Sequence, residues 1–315
     1  MTAPNASIFP YGPAAIAAAG AAIRAGGIVA VPTETVYGLA ADAADSAAVA
    51  RIYAAKGRPA FNPLIVHVPD MAAAEALAVF GDDDRALATA FWPGPLTLVL
   101  PLRPGAPVAS IVTAGLATVA IRVPAHRAMQ ALLHASGRAL AAPSANRSNG
   151  ISPTRAEHVV ASLGDAVPLV IDDGACAAGL ESTIVFGRTI LRPGPVTSAE
   201  ILAALGSSGP TDVGLRPAVR REVIAPGQLA THYAPSKPLR LDAMTAAPDE
   251  WLIGFGAIPG DETLSACGDP VEAAARLFDA LHRADAGSKP RIAVAPIPAD
   301  GVGEAINDRL ARAAT

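Results

Sequence analysis

A chain of 315 residues has room for two domains, and each could bury a core without disulfides. Half of its residues are hydrophobic, but much of that share is alanine and no apolar run approaches bilayer length, so no transmembrane span is expected. A net charge of −4 and a sequence pI near 5.9 argue against a surface that neutralises many nucleic-acid phosphates, so any anion site must be local.

Along the chain, residues 14–23 are apolar and alanine-rich, and the first basic residue, Arg24, comes after them. That order is the reverse of a secretory signal, so a helix of the fold is expected there. A β-branched run at 28–31 reads as a strand, as do 64–68, 96–100 and 118–123. Helices fall between some of these. Ser46 is placed to cap one over 47–55, Ser152 with Pro153 to open another that stops near Gly164, and Ser198 to begin one ending around Leu205. Strands also follow one another directly, which predicts an α/β fold with a mixed sheet and antiparallel pairs rather than regular βαβ winding. From 206 to 238 periodicity gives way to Gly, Pro, Ser and scattered arginines, the composition of an interdomain linker. Beyond it, short strands at 239–241, 251–255 and 291–295 alternate with helices at 271–283 and 303–314, a smaller α/β domain. The expected division is 1–205, 206–238 and 239–315.

The two cysteines, Cys176 and Cys267, lack the paired spacing of a zinc or redox site, which suits a reducing cytoplasm. Only three of the 24 basic residues are lysines, and Lys56 is the one that precedes the linker. A lysine kept in so Arg-biased a chain points to a role that arginine does not fill. There is no Gly-rich phosphate loop ending in Gly-Lys-Ser or Gly-Lys-Thr, so nucleotide binding must arise in another way. Gly254-Phe255-Gly256 lacks a correctly spaced third glycine and reads as a turn after a strand. An HExxH pair and a Gly-x-Ser-x-Gly elbow are also absent.

Candidate chemistry concentrates between 32 and 67. Thr33-Glu34-Thr35-Val36-Tyr37-Gly38 follows an apolar strand, and Lys56-Gly57-Arg58-Pro59 follows a helix. Two cations flanking a glycine can clamp phosphates, and they can equally be a helix C-terminus with a Gly stop. Thr35 reads as a ligand hydroxyl or a turn residue, and His67, midway along an apolar strand, as a core histidine. A second cluster, Pro143-Ser144-Ala145-Asn146, runs through a polar loop to Ser152-Pro153-Thr154, where free N–H groups favour an anion and capping explains the serines without one. Glu181-Ser182-Thr183 before a strand and Leu191-Arg192-Pro193-Gly194 after one are each ordinary as a strand edge or turn.

Taken together and in order, these segments closely resemble the YrdC-like threonylcarbamoyl-AMP synthases, in the long form with an extra C-terminal domain. The resemblance also rests on Asn62-Pro63-Leu64, Trp92-Pro93-Gly94-Pro95-Leu96-Thr97 and His232-Tyr233-Ala234-Pro235, and it spans nearly the whole chain. It departs at Ala40, where a glycine is usual, and at Gln228-Leu229-Ala230-Thr231, where a more basic stretch is common.

The resemblance implies a twisted mixed sheet with an open cavity, followed by a small Rossmann-like domain. It implies an enzyme, a nucleotidyltransferase, that joins L-threonine, bicarbonate and ATP into threonylcarbamoyl-AMP with release of pyrophosphate. This is the first step of a tRNA modification completed by downstream transferase proteins. Thr35, His67, Arg122, Ser182 and backbone near Ala142 would hold threonine, with Arg122 on its carboxylate. Lys56, Arg58, Asn62, Thr118, Ser144, Asn146, Ser152 and Arg192 would surround ATP, with Tyr233 reaching it from the linker. Lys56, Arg58 and Arg192, with Mg2+, would offset charge on the phosphates. An RNA-binding module is the competing reading, and the acidic balance leaves tRNA at most weakly bound.

Overall fold

The computed structural model describes residues 7–59, 61–206 and 232–314. Ten strands form one large sheet: β1 (Ser7–Pro10), β2 (Val29–Val31), β3 (Gly38–Asp42), β4 (Ile65–His67), β5 (Leu96–Pro101), β6 (Thr118–Arg122), β7 (Leu140–Ala141), β8 (Leu169–Asp172), β9 (Thr183–Phe186) and β10 (Thr189–Arg192). Their spatial order is β1-β8-β2-β3-β7-β4-β6-β5-β9-β10. Parallel pairs such as β4 with β6 alternate with antiparallel ones such as β5 with β6, so the sheet is mixed. The helices of this part are α1 (Pro13–Arg24), α2 (Ser46–Lys56), α3 (Met71–Leu77), α4 (Asp82–Phe91), α5 (Arg127–Ser136), α6 (Ala156–Leu163) and α7 (Ser198–Ala204).

Strand alternation sorts the side chains into layers. Val29, Val31, Leu140 and Ile171 face a cluster built on Ile16, Ala19 and Ile23 of α1 and Met129, Leu132 and Leu133 of α5. Their neighbours Ala30, Ala141 and Val170 face the main core on the other side, with Val49 and Ile52 of α2 and Val159 of α6. Helices α1 and α5 approach closely because Gly20 has no side chain, and a Cβ there would lie 3.0 Å from Ala135. At the β4–β6–β5–β9 end the sheet is covered differently. Val66, Ile121, Leu98 and Val185 belong to the main core, whereas Ile65, Ala120, Val99 and Ile184 form the small apolar floor of an open face.

Beyond residue 238, β11 (Leu239–Arg240), β12 (Glu250–Gly254), β13 (Glu262–Thr263) and β14 (Arg291–Val294) form a second sheet, with α8 (Pro270–Ala286) and α9 (Val302–Ala313). Its order is β11-β14-β12-β13 and its pairs are parallel, as a Rossmann-like unit requires. The two parts share a core. Val36, Ile151, Leu180 and Tyr233 pack in one cluster with Phe278, Leu277 and Ile306 of the C-terminal part. Most of the expected linker, including 228–231, lies outside the described residues.

Two expected caps are corrected. Helix α2 is capped by Asp45, whose carboxylate accepts from the amides of Ala47 and Ala48, and Ser46 is its first residue. Helix α6 starts at Ala156 rather than at Ser152 and has no side-chain cap, because the Ser152 hydroxyl is bonded elsewhere. Helix α7 follows the expected bounds, with Thr197 and Glu200 as its capping box. A cap contributes about 0.5–2 kcal/mol. Asp45→Ala should therefore lower the unfolding free energy by about 1 kcal/mol in urea titration, and Ser46→Ala by less than about 0.5.

Candidate active site

The open face holds a cavity whose empty space, counted with the solvent at its mouth, is about 550 Å³. Parity and register explain what it contains. Ile65 and His67 of β4 are two apart, and they pair with Ala120 and Arg122 of the parallel neighbour β6, so all four point to the same side. Thr118, two positions further back on β6, shares that face but lies outside the cavity lining.

Arg122 is buried. Its Nε donates to the Gly94 carbonyl at 3.1 Å, Nη1 donates to Thr35 Oγ1 at 2.9 Å, and Nη2 lies 2.6 Å from Glu34 Oε1. Burial raises the Glu34 carboxyl, but the Arg122 charge and the hydrogen bonds it accepts from Arg122 and backbone amides together hold Glu34 below its usual range. Thr33 shapes this loop, since its hydroxyl accepts from the amides of Thr35 and Val36 and donates to the Val36 carbonyl at 2.7 Å. His67 Nδ1 has no hydrogen-bond partner among the described residues. Burial, with Arg122 beside it, pushes the His67 imidazole down to about 3, so it is neutral at pH 7.

Opposite these groups lies a cationic wall. Helix α2 ends at Lys56, Gly57 caps it in the left-handed region at φ 59°, and Arg58 emerges beyond. The helix-stop reading of this tetrapeptide holds, and beyond the stop it is Arg58 that lines the cavity. The Lys56 ammonium is buried against the carbonyls of Ser144 and Asn146, so it organises the 143–146 loop from behind the cavity lining. Burial, with the charge of Arg58 added, lowers it well below the ordinary lysine value. Arg58 lines the cavity, with Nη2 donating to the Pro63 carbonyl at 3.0 Å and Nε to the Asn62 carbonyl at 3.3 Å; burial lowers it to about 10.

Arg192 reaches in from β10, its Nη2 donating to the Ser182 carbonyl at 2.9 Å and to Ser182 Oγ at 3.2 Å. The Ser182 hydroxyl also meets Thr97 Oγ1 at 2.7 Å. Tyr233 is buried, its ring 5.6 Å from that of Phe278 and its hydroxyl without a partner among the described residues.

Of the residues expected from the sequence, Thr35, Arg58, His67, Arg122, Ala142, Ser144, Ser182, Arg192 and Tyr233 line this one cavity. Lys56, Asn146 and Ser152 stand one bond behind it. Asn146 donates to the Gly150 carbonyl at 2.8 Å, and Ser152 donates to Glu181. The Asn62 amide oxygen is buried without a partner among the described residues, next to the Arg58 contact. Sequence reasoning gave no role to Glu34, Thr97, Glu181, His232 or Arg309. Glu34 and Glu181 stood inside quoted motifs, and Arg309 interrupts the apolar stripe of α9. Among the described lining residues Glu181 is the one carboxylate, and Arg309 already holds it at 2.8 Å. The cavity is therefore built to take a negatively charged occupant. Glu34 faces Arg122 and Glu181 faces Arg309, so the described residues do not fit a dedicated Mg2+ site.

The family described as Telomere recombination (Sua5, YciO and YrdC) matches residues 21–194, and that described as Threonylcarbamoyl-AMP synthase, C-terminal domain, matches 196–315. The chain is 39% identical to threonylcarbamoyl-AMP synthase of Bacillus subtilis, over 95% of this chain and 92% of that protein. It is also 39% identical to the enzyme of the same name from Pyrococcus abyssi, over 92% and 91% of the two chains. The crystal structure of P. abyssi Sua5 complexed with L-threonine superposes with a TM-score of 0.87 at 35% identity, covering 98% of this chain and 96% of that one.

Two buried histidines, His67 and His232, and the half-buried His282 contribute to the pH response of the fold. Burial is the main cause in each, and it lowers His67 and His232 to about 3 and His282 to about 4. An unfolded histidine protonates near pH 6.5, whereas these stay neutral in the folded state until their lowered values are reached. Their contribution is thus complete above about pH 6.5 and is lost as pH falls towards 4, at about 1.4 kcal/mol per pH unit for each. Urea titrations between pH 7 and pH 4.5 should show this slope, and His67→Gln should reduce it by about one proton.

Proposed function

The chain belongs to the Sua5/YciO/YrdC family, and we propose that its cavity joins L-threonine, bicarbonate and ATP into threonylcarbamoyl-AMP, releasing pyrophosphate as a nucleotidyltransferase. The observation that carries this reading is the cation excess on one cavity wall, with Arg58 and Arg192 desolvated and no free carboxylate beside them. A triphosphate supplies the missing negative charge. The opposite wall suits an amino acid. Arg122 receives its carboxylate, Thr35 and Ser182 offer hydroxyls to its side chain, and the Ala142 backbone closes the pocket.

The chemistry needs no covalent nucleophile. The threonine amine attacks the bicarbonate carbon, water leaves, and a carbamate oxygen then attacks the α-phosphorus, expelling pyrophosphate with both electrons of the broken P–O bond. The protein positions the reactants and neutralises charge. Lys56 acts through the loop it holds, presenting Ser144 and Asn146, while Arg58 and Arg192 face the phosphates and Tyr233 packs beside them. Neutral His67, whose Nδ1 has no partner among the described residues, offers a ring nitrogen to a polar group of the amino acid at the threonine wall. Among the described residues no group of carboxylates is free to hold Mg2+. We read 1–205 as the catalytic domain, 206–238 as the linker and 239–315 as the second domain. No helix among the described residues is long and apolar enough to cross a membrane, and both cysteines are free, which supports a place in the cytoplasm. The product is an activated group for transfer to tRNA by other proteins.

Pyrophosphate release from ATP should require both L-threonine and bicarbonate, and mass spectrometry should find the adenylate. L-valine should be strongly disfavoured, because it leaves the hydroxyl partners unpaired. Equal rates with the two amino acids would sink the threonine assignment. Arg58→Ala should lower turnover on the order of 10²- to 10³-fold in a folded variant, since a phosphate clamp acts on charge developing in the transition state.

A further inference from the structure

Helix α9 carries an arginine where its spacing calls for an apolar side chain. Ala305, Ile306, Leu310 and Ala313 form the buried stripe of this helix, and Arg309 lies within it with 0% of its surface exposed. A guanidinium taken out of water requires partners for its donors, and those of Arg309 converge on the nucleotide wall of the cavity. Its Nε donates to Glu181 Oε2 at 2.8 Å, and Nη2 donates to the carbonyl of Pro193, the residue after Arg192, at 2.9 Å. Its carbon centre lies 5.2 Å from the Tyr233 ring centroid, a cation–π contact, and Nη1 turns back to Asp308 at 2.7 Å. The other oxygen of Glu181 accepts from the Ser152 hydroxyl. A side chain of the C-terminal part thus touches Tyr233 directly and Ser152 through Glu181, two of the residues expected around ATP, and bonds the carbonyl next to a third, Arg192.

The charge arrangement gives these contacts a consequence. Glu181 is the only carboxylate among the described lining residues, and Arg192 lines the same cavity. With Arg309 in place, Glu181 is occupied and Arg192 donates only to neutral oxygens of Ser182. Without Arg309, the freed carboxylate would be left to capture Arg192, removing a cation from the phosphates and releasing Ser152 from its fixed position.

We propose that Arg309 is the positioning residue through which the C-terminal domain sets the ATP half of the site: it occupies Glu181 and so leaves Arg192 and Ser152 aligned for the nucleotide. In the threonine half, Arg122, Thr35 and His67 take none of the hydrogen bonds of Arg309, and Ser182 is the member that Arg192 also holds. The proposal rests on the ATP-using reading given above.

The test measures steady-state pyrophosphate release by the full chain, varying ATP and L-threonine separately, with thermal unfolding followed in parallel. Wild type is compared with Arg309→Gln, Arg309→Lys and the double variant Arg309→Gln/Glu181→Gln. Arg309→Gln is expected to raise the KM for ATP about tenfold or more while the KM for L-threonine stays within about twofold. Arg309→Lys keeps the charge and should recover part of this loss. The double variant lacks the carboxylate that would capture Arg192, so its KM for ATP should return towards wild type. If Arg309→Gln does not fold, the lysine and double variants carry the same comparison. Equal rises in both KM values would overturn the proposal. So would a loss of turnover that follows the folded fraction with both KM values unchanged, or a double variant no better than Arg309→Gln. Failure of the underlying reading is distinct, because wild type itself would then release no pyrophosphate in response to L-threonine and bicarbonate, and the inference would fall with it.

Discussion

Burial of positive charge is the constraint on which the rest of this molecule depends. Lys56, Arg122, Arg192 and Arg309 are each withdrawn from water, at a cost of several kcal/mol per ion unless partners repay it. Carboxylates answer two of them, Glu34 for Arg122 and Glu181 with Asp308 for Arg309. The rest of the repayment comes mainly from backbone carbonyls, which regular strands and helices spend on one another. The chain therefore leaves regular structure wherever a cation needs an acceptor: at Gly94 for Arg122, at Ser144 and Asn146 for Lys56, at Ser182 for Arg192 and at Pro193 for Arg309. The loops that form the cavity are, in this sense, the solvation shells of its cations.

That arrangement also explains why the two parts of the chain cannot be understood separately. Val36, Ile151 and Leu180 sit on cavity loops, yet their apolar surface is covered by the C-terminal core rather than by the large sheet. Tyr233, at φ 67° in the left-handed region, is held between His232, Phe278 and Arg309. A non-glycine residue in that conformation persists only when its surroundings fix it. Here the surroundings are the second domain.

Regular elements with clear patterns were legible in the sequence. The β-branched strands β2, β4, β5 and β6, the alanine-rich α1 and the elements of the small domain fall close to their expected positions. Strand β3, reading Gly-Leu-Ala-Ala-Asp, and the two-residue β7 were not legible, because neither has β-branched residues and both owe their form to neighbours already in the sheet. The caps misled for a related reason. Ser46 and Asp45 are both good caps in isolation, and only the backbone entry angle decides between them. Ser152 was taken from helix capping by Glu181, a residue 29 positions away.

By itself the sequence determined the order of motifs and the family they resemble, because those are properties of local patterns and their succession. Tertiary structure alone decided which of the motif residues face the cavity and which stand behind it. Lys56 reads as a phosphate ligand in a tetrapeptide, but its ammonium is spent on two carbonyls about 90 residues downstream. Arg309 has no role in the sequence reading, but it is the counter-ion of Glu181 in the other part of the chain. The physical reason is that a buried charge is defined by its partners, and partners that lie far apart in the chain become neighbours only when the sheet and the second domain close around them.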